Sequence, residues 1–212
     1  KGSLVTGHCR DQVKAMATHP IRQECATVGD DMTLRVWDVS VGSVITTLDL
    51  PDIARSVSYS PNGQLLVVGL GGVVVRKGRR SVRVDEDEAV ISKMVVVSFL
   101  QNKLQIVFET QDAVGPINCI TFSAAGDRVF VGSTDGNIYE YDPLNDFSLT
   151  EIITGHTQSI EHIELNTKCD RMMSRTAGNE TSVWDLSGKK PVAVAADSLA
   201  TEASRSPGGD GG

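Results

Sequence analysis

Apolar and polar residues alternate along this chain with a period of two, in short runs separated by glycine-, proline- and aspartate-containing breakers. The clearest stretch is Val28 to Asp38, V-G-D-D-M-T-L-R-V-W-D. There a strand end enters a Gly-Asp-Asp turn, and Leu34 and Val36 then alternate with Thr33 and Arg35 before Trp37-Asp38 closes the run. Around this hairpin the pattern predicts strands at 13–17, 25–28, 33–37 and 44–48. The breakers His19-Pro20, Gly29-Asp30 and Val41-Gly42 leave room only for tight turns, so the pairing is antiparallel.

The same grammar continues downstream. Strands are predicted at 54–59 and 65–68 around the turn Ser60-Pro61-Asn62-Gly63, then at 94–97 and 104–108. Further runs fall at 117–122, 128–131 and 137–141, and at 160–165, 171–174, 181–185 and 191–194. Gly7-His8 precedes Trp37 by 29 residues counted from the histidine, and Gly155-His156 precedes Trp184-Asp185 by 28. A fixed spacing of this kind marks a repeated unit of four short strands. The expected fold is all-β, with about four four-stranded antiparallel units near 7–48, 51–108, 115–153 and 155–194 inside a segment spanning 1–194. Leu4-Val5-Thr6 reads as the outer strand of a preceding unit, so the segment is expected to form part of a larger closed array.

One stretch breaks the period. Asp142 precedes Asp185 by 43 residues, but Asp38 precedes Asp142 by 104, which is two units with 18 residues left over. The excess matches the charged stretch after Gly72, and 76–92 is therefore read as an insertion. It carries Arg76, Lys77, Arg79, Arg80 and Arg83, followed by Asp85, Glu86, Asp87 and Glu88. The run can neutralise itself as a solvated hairpin, or its basic half can contact an acidic partner. The tail 195–212 has too little apolar surface to offset the entropy of ordering and is expected to be disordered.

Composition narrows the function. Hydrophobic residues make up 40% and charged residues 22%, the balance of an ordinary globular chain. No run of about 18 apolar residues is present, so no membrane span is expected. A net charge of -7 argues against nucleic acid as a partner, because phosphate-backbone binding relies on lysine and arginine. The four cysteines, Cys9, Cys25, Cys119 and Cys169, form no C-x-x-C pair. They suit a reducing, cytoplasmic compartment better than a disulfide framework or a zinc site, and neither metal nor cofactor is expected.

With G-H and W-D pairs in the first and fourth units and a Y-D pair 43 residues before the second W-D, the chain resembles the WD-repeat β-propeller family, whose units are four-stranded blades. The resemblance implies a buried network in each blade made by the Gly-His histidine, a Ser or Thr on the second strand, an Asp in the following turn and the Trp of the third strand. By position the first unit supplies His8, Thr27, Asp31 and Trp37. The third keeps Asp135 six residues before Tyr141 but has no histidine, and the fourth keeps His156 and Trp184 with Gly178 in place of the aspartate. A narrower resemblance is to the echinoderm microtubule-associated protein-like family. It is carried by A-M-A-T-H-P at 15–20, P-D-I-A-R-S-V-S-Y-S-P-N-G at 51–63, V-G-S-T-D-G-N-I-Y-E-Y-D at 131–142 and I-T-G-H-T-Q-S-I-E-H-I-E-L-N at 153–166. That resemblance implies a non-enzymatic cytoskeletal protein whose partner is tubulin or the microtubule. The competing expectation is a WD-repeat adaptor that scaffolds another protein complex.

Other chemistry finds little footing. His8 and His156 follow glycine at a blade loop, where the structural role outweighs metal binding or catalysis. His162 and His19 have no ligand-spaced companions. Gly69 to Gly72 lacks the Lys-Ser/Thr and the helix of a phosphate-binding loop, and no G-x-S-x-G is present.

Overall fold

A computed structural model describes residues 8, 13–71, 92–188 and 190–194. The orphan strand at Leu4-Val5-Thr6, most of the charged insertion and the tail lie outside the described residues. Among the described residues sixteen strands form four four-stranded antiparallel sheets, so this segment is part of a β-propeller. The first blade holds β1 (Val13–Thr18), β2 (Glu24–Gly29), β3 (Thr33–Asp38) and β4 (Ser43–Asp49). The second holds β5 (Ala54–Tyr59), β6 (Leu65–Leu70), β7 (Met94–Leu100) and β8 (Lys103–Thr110). The third holds β9 (Ile117–Phe122), β10 (Val129–Ser133), β11 (Ile138–Asp142) and β12 (Ser148–Ile153), and the fourth β13 (Ile160–Leu165), β14 (Arg171–Thr176), β15 (Thr181–Asp185) and β16 (Val192–Val194).

The same turn chemistry recurs from blade to blade. Between the first two strands the fourth turn residue has a left-handed backbone, at Gly63 (φ 70°), Gly126 (φ 76°) and Cys169 (φ 55°). Its N–H donates to the first turn residue, Ser60, Ser123 and Asn166 respectively. Between the second and third strands the left-handed position falls to Met32 (φ 57°), Gly136 (φ 85°) and Asn179 (φ 62°). A left-handed residue closing a four-residue turn brings the two strands into the twisted antiparallel pairing that a blade needs.

The core lies between blades rather than within them. Ala26, Val28, Leu34 and Val36 of the first blade pack on Val57, Leu66, Val68 and Val97 of the second. Val67, Met94 and Val96 turn the other way, onto Ile117, Val129, Val131 and Tyr139 of the third. Phe130, Ile138 and Ile153 then meet Ile160, Ile163, Met172 and Trp184. The second strands of the two middle blades, β6 and β10, are therefore covered on both faces: residues 66–70 and all of Val129–Ser133 are buried, whereas in β14 Met172 and Ser174 are buried and Met173 and Arg175 exposed. Each fully buried Val, Leu or Ile side chain contributes about 1.5–3 kcal/mol relative to exposure, which makes the inter-blade layers the main source of cohesion. Two glycines permit the close approach. A Cβ on Gly69 would collide with the Ile117 side chain, and one on Gly132 would lie 2.5 Å from Cys119 Sγ and 2.6 Å from Ile160.

Candidate functional site

The Gly-His, strand and turn positions of the first blade converge. His8 Nδ1 lies 2.8 Å from both carboxylate oxygens of Asp31, and its Nε2 lies 2.8 Å from Thr27 Oγ1. Trp37 Nε1 donates to the same Thr27 oxygen at 2.7 Å. A carboxylate accepts only, so Nδ1 carries the ring proton and Nε2 accepts from the threonine hydroxyl, whose oxygen in turn accepts the indole N–H. Donation runs one way, from Trp37 through Thr27 and His8 to Asp31. The carboxylate also accepts from Thr33 N–H at 3.3 Å, Thr33 Oγ1 at 2.9 Å and an Arg35 guanidinium nitrogen at 3.4 Å. Burial works to raise the Asp31 pKa, but the hydrogen bonds from His8 and Thr33 and the nearby imidazole hold it below the ordinary value of 3.8.

An Asp-His-Thr series has the order of a hydrolytic triad, yet it is built for a different task. The His8 side chain is 3% exposed, and Thr27 already uses its oxygen on Trp37. Nothing leaves the hydroxyl open to a carbonyl substrate. The arrangement pins the loop before β1, the second strand, the turn and the third strand to one another.

The other blades keep parts of this arrangement. In the fourth, His156 Nε2 and Trp184 Nε1 both lie 2.7 Å from Ser174 Oγ, a strand residue that the spacing rule marks ten positions before the Trp, as Thr27 is before Trp37. Sequence reading passed over Ser174, although the ten-residue offset was available to find it. The Gln158 side-chain amide occupies the space above Gly178, where a Cβ would otherwise project. His156 Nδ1 is buried without a hydrogen-bond partner, and Glu180 Oε1 stands 3.4 Å away. The fourth blade thus keeps two bonds of the network, both made to Ser174 Oγ.

In the third blade Asp135 accepts from Asn137 N–H at 2.8 Å, Tyr139 Oη at 2.7 Å and Val114 N–H at 3.1 Å. Val131 stands at the Thr27 position, so Tyr141 Oη turns instead to Asp112 at 3.2 Å. The aspartate of each W-D or Y-D pair has a separate task. Asp38 Oδ1 accepts Ser40 N–H at 2.8 Å, Asp142 Oδ1 accepts Leu144 N–H at 2.9 Å and Asp185 Oδ1 accepts Ser187 N–H at 2.9 Å, each closing the turn into the outer strand.

His19 is buried and bonded rather than idle in its turn: its Nδ1 accepts the N–H groups of Ile21 at 3.1 Å and Arg22 at 3.0 Å, and its ring packs on Gly63 of the next blade. Burial and the Arg22 charge lower its pKa. A cleft of about 510 Å³ runs between the third and fourth blades, lined by Thr121, Ile163, Leu165 and Cys169. Cys169 Sγ accepts Ala124 N–H at 3.3 Å there. Among the described residues no group of three or more His, Cys, Asp or Glu is placed to hold a metal ion. No helix among them is long and apolar enough to cross a membrane. Arg76, Lys77, Arg79, Arg80 and Arg83 lie outside the described residues.

Comparison with known proteins points the same way as the blades. Human Echinoderm microtubule-associated protein-like 3 is 23% identical over 188 residues, covering 87% of this chain and 18% of that protein. Eukaryotic translation initiation factor 3 subunit I of Candida albicans is 29% identical over 119 residues, covering 56% of this chain and 32% of its own length. The same subunit of Saccharomyces cerevisiae is 24% identical over 163 residues, 77% of this chain and 46% of its own. The chain thus spans less than half the length of these relatives. The family described as Echinoderm microtubule-associated protein second beta-propeller matches residues 13–203, nearly the whole described segment, and the chain belongs to that β-propeller family.

Proposed function

We propose that this chain is the propeller portion of a non-enzymatic, microtubule-associated protein of the cytoplasm and cytoskeleton, with tubulin or the microtubule as its partner. The observation that carries this reading is the family match over 13–203, whose description is that of a microtubule-associated protein. The site geometry supports a binding role. The Asp-His-Thr series of the first blade is locked inside that blade, which suits a structural part in a protein that works by binding. The basic cluster Arg76, Lys77, Arg79, Arg80 and Arg83 is assigned an auxiliary role, steering the otherwise acidic segment toward an acidic surface. Nucleic acid and membrane have no part in this reading.

A second reading is a WD-repeat adaptor within another multiprotein complex. It is favoured by the similarity to eukaryotic translation initiation factor 3 subunit I, at identities equal to or above those of the microtubule-associated relative. Co-sedimentation of the intact protein with polymerised tubulin separates the two. Binding that weakens with salt supports the first reading. Absence of binding at every salt concentration removes it and leaves the adaptor.

A further inference from the structure

Every blade carries one extra residue at the same place in its innermost strand. In β1 the register with β2 passes from Val13–Gly29 to Ala15–Val28, leaving Lys14 over. In β5 it skips Arg55, between Ala54–Leu70 and Ser56–Gly69. In β9 it skips Asn118, between Ile117–Ser133 and Cys119–Gly132, and in β13 it skips Glu161. A β-bulge takes a side chain out of the alternation and re-aims it, and bulges that recur at one position behave as built features. Here all four bulged residues are polar, in strands whose flanking residues Val13, Ala54, Ile117 and Ile160 are apolar.

The bulges lie at one level. Ser56, just after Arg55, donates to the carbonyl of Ile117, just before Asn118, at 3.0 Å. Asn118 Nδ2 in turn reaches the carbonyl of Ile160 at 3.3 Å and the carboxylate of Glu161 at 3.1 Å. Arg55, Asn118 and Glu161 therefore lie along an arc across the inner strands, with Lys14 at the equivalent bulge of β1; the arc is basic at Arg55 and acidic at Glu161.

Three of the four are engaged. Lys14 pairs with Asp30 at 3.3 Å, Asn118 donates to its neighbours, and Glu161 accepts from Asn118 and from Ser159 Oγ at 3.0 Å. No side-chain hydrogen bond or ion pair joins Arg55 to another described residue, and its Nε N–H is buried without an acceptor. A buried unmet donor of this kind is destabilising, because it has given up water without gaining a partner. A conformation that turned the guanidinium edge outward onto a carboxylate would satisfy that donor and form the paired geometry in which arginine excels.

We propose that Arg55 is the anchoring residue for a carboxylate of an acidic polypeptide that lies across the bulge arc, with its acidic group over Arg55. Glu161 at the opposite end limits the acidic run to a short one. The inference does not depend on the identity of the partner proposed above.

The test uses a fluorescein-labelled hexaglutamate peptide and the intact protein, read by fluorescence anisotropy at low ionic strength, where screening is weak. Binding is expected to weaken about tenfold in Arg55→Gln and severalfold in Arg55→Lys, which keeps the charge but loses the fork. It should change by less than about twofold in Lys14→Gln, which removes the same net charge. Glu161→Gln should leave binding equal or tighter. Arg55→Lys is the safeguard should Arg55→Gln fold poorly, with thermal melting reporting the fold of both. The proposal is overturned if hexaglutamate does not bind the wild type, if both Arg55 variants bind as the wild type does, or if Lys14→Gln loses as much as Arg55→Gln.

Discussion

Glu180 approaches His156 to 3.4 Å through the one ring nitrogen that no hydrogen bond satisfies. In the first blade the same nitrogen of His8 meets Asp31 at 2.8 Å. The difference traces to one position, since Asp31 and Gly178 both stand six residues before their Trp and next to a left-handed residue, Met32 or Asn179. Glu180 is half exposed and sits beyond that turn, so it approximates the missing carboxylate without replacing it.

Gly178→Asp should therefore stabilise the fold, by about 1–2 kcal/mol, the value of a charge-assisted bond to a buried partner less the cost of fixing the side chain. The obstacle is Gln158, whose amide fills the space above Gly178; it is the end of an exposed flexible side chain and can swing away. Denaturation midpoints of wild type, Gly178→Asp and Gly178→Ala decide the matter. An aspartate no better than alanine would mean that the carboxylate does not reach His156.

The two histidines should differ in what they contribute. His8→Ala removes a bond to a carboxylate and a bond to a hydroxyl, together about 2–4 kcal/mol, and leaves Asp31 partly desolvated. His156→Ala removes the bond to Ser174 and an edge-on contact with Trp184 at 5.9 Å, about 1–2 kcal/mol. Chemical denaturation of the two variants checks the order. A larger loss for His156→Ala would show that the buried packing around Trp184 outweighs the hydrogen bond to the Asp31 carboxylate.

Much of this was legible in the residues because the signals were local. Alternation, turn residues and the spacing of His8 to Trp37 and His156 to Trp184 all read along the chain, and they pointed to an all-β fold with four four-stranded sheets. Less legible was whatever depends on the neighbouring blade. Val129–Ser133 is buried on both faces, so its sequence carries no alternation to mark its ends, and its first residue is one later than the pattern suggests. Spacing shows that Gly178 stands where an aspartate is expected, but not that Glu180 and Gln158 take up the vacated surroundings, because that arises where two loops meet in space. The bulges were equally hidden, since an extra residue in a six-residue strand leaves the sequence pattern almost unchanged.

Asp31 gives the fold a defined response to acid. Its folded pKa lies below the ordinary 3.8, so the ionised form is favoured by folding. The stabilisation is fully present above the unfolded value and is lost as pH falls through it toward the folded value. Asp31→Asn should be less stable than wild type near neutral pH, and the gap should narrow as pH drops below about 4. Urea midpoints of both proteins across that range are the measurement. A gap that stays constant down to the acid limit would show that Asp31 stabilises through its shape alone.

The inter-blade seam offers the last test. Gly132 lies on β10 where Ile160 of the fourth blade and Cys119 of β9 close over it, leaving 2.5 to 2.6 Å for a Cβ. The clash is with a β-branched side chain fixed in a core and with a thiol on a neighbouring strand, neither of which is a flexible end. Gly132→Ala should thus cost about 1–3 kcal/mol, against the gain alanine usually brings by restricting the unfolded chain. If the blades separate slightly to relieve the clash, Cys119, which is half-buried, should become more accessible. In the wild type burial drives its thiol up to about 12, so that little thiolate is present at pH 8 and alkylation is slow. Iodoacetamide labelling followed by peptide mass spectrometry should show Cys119 protected in the wild type and labelled faster in Gly132→Ala. Stability and labelling both unchanged would mean that the seam yields to a methyl group, and that close packing of Ile160 on Gly132 does not hold the third and fourth blades together.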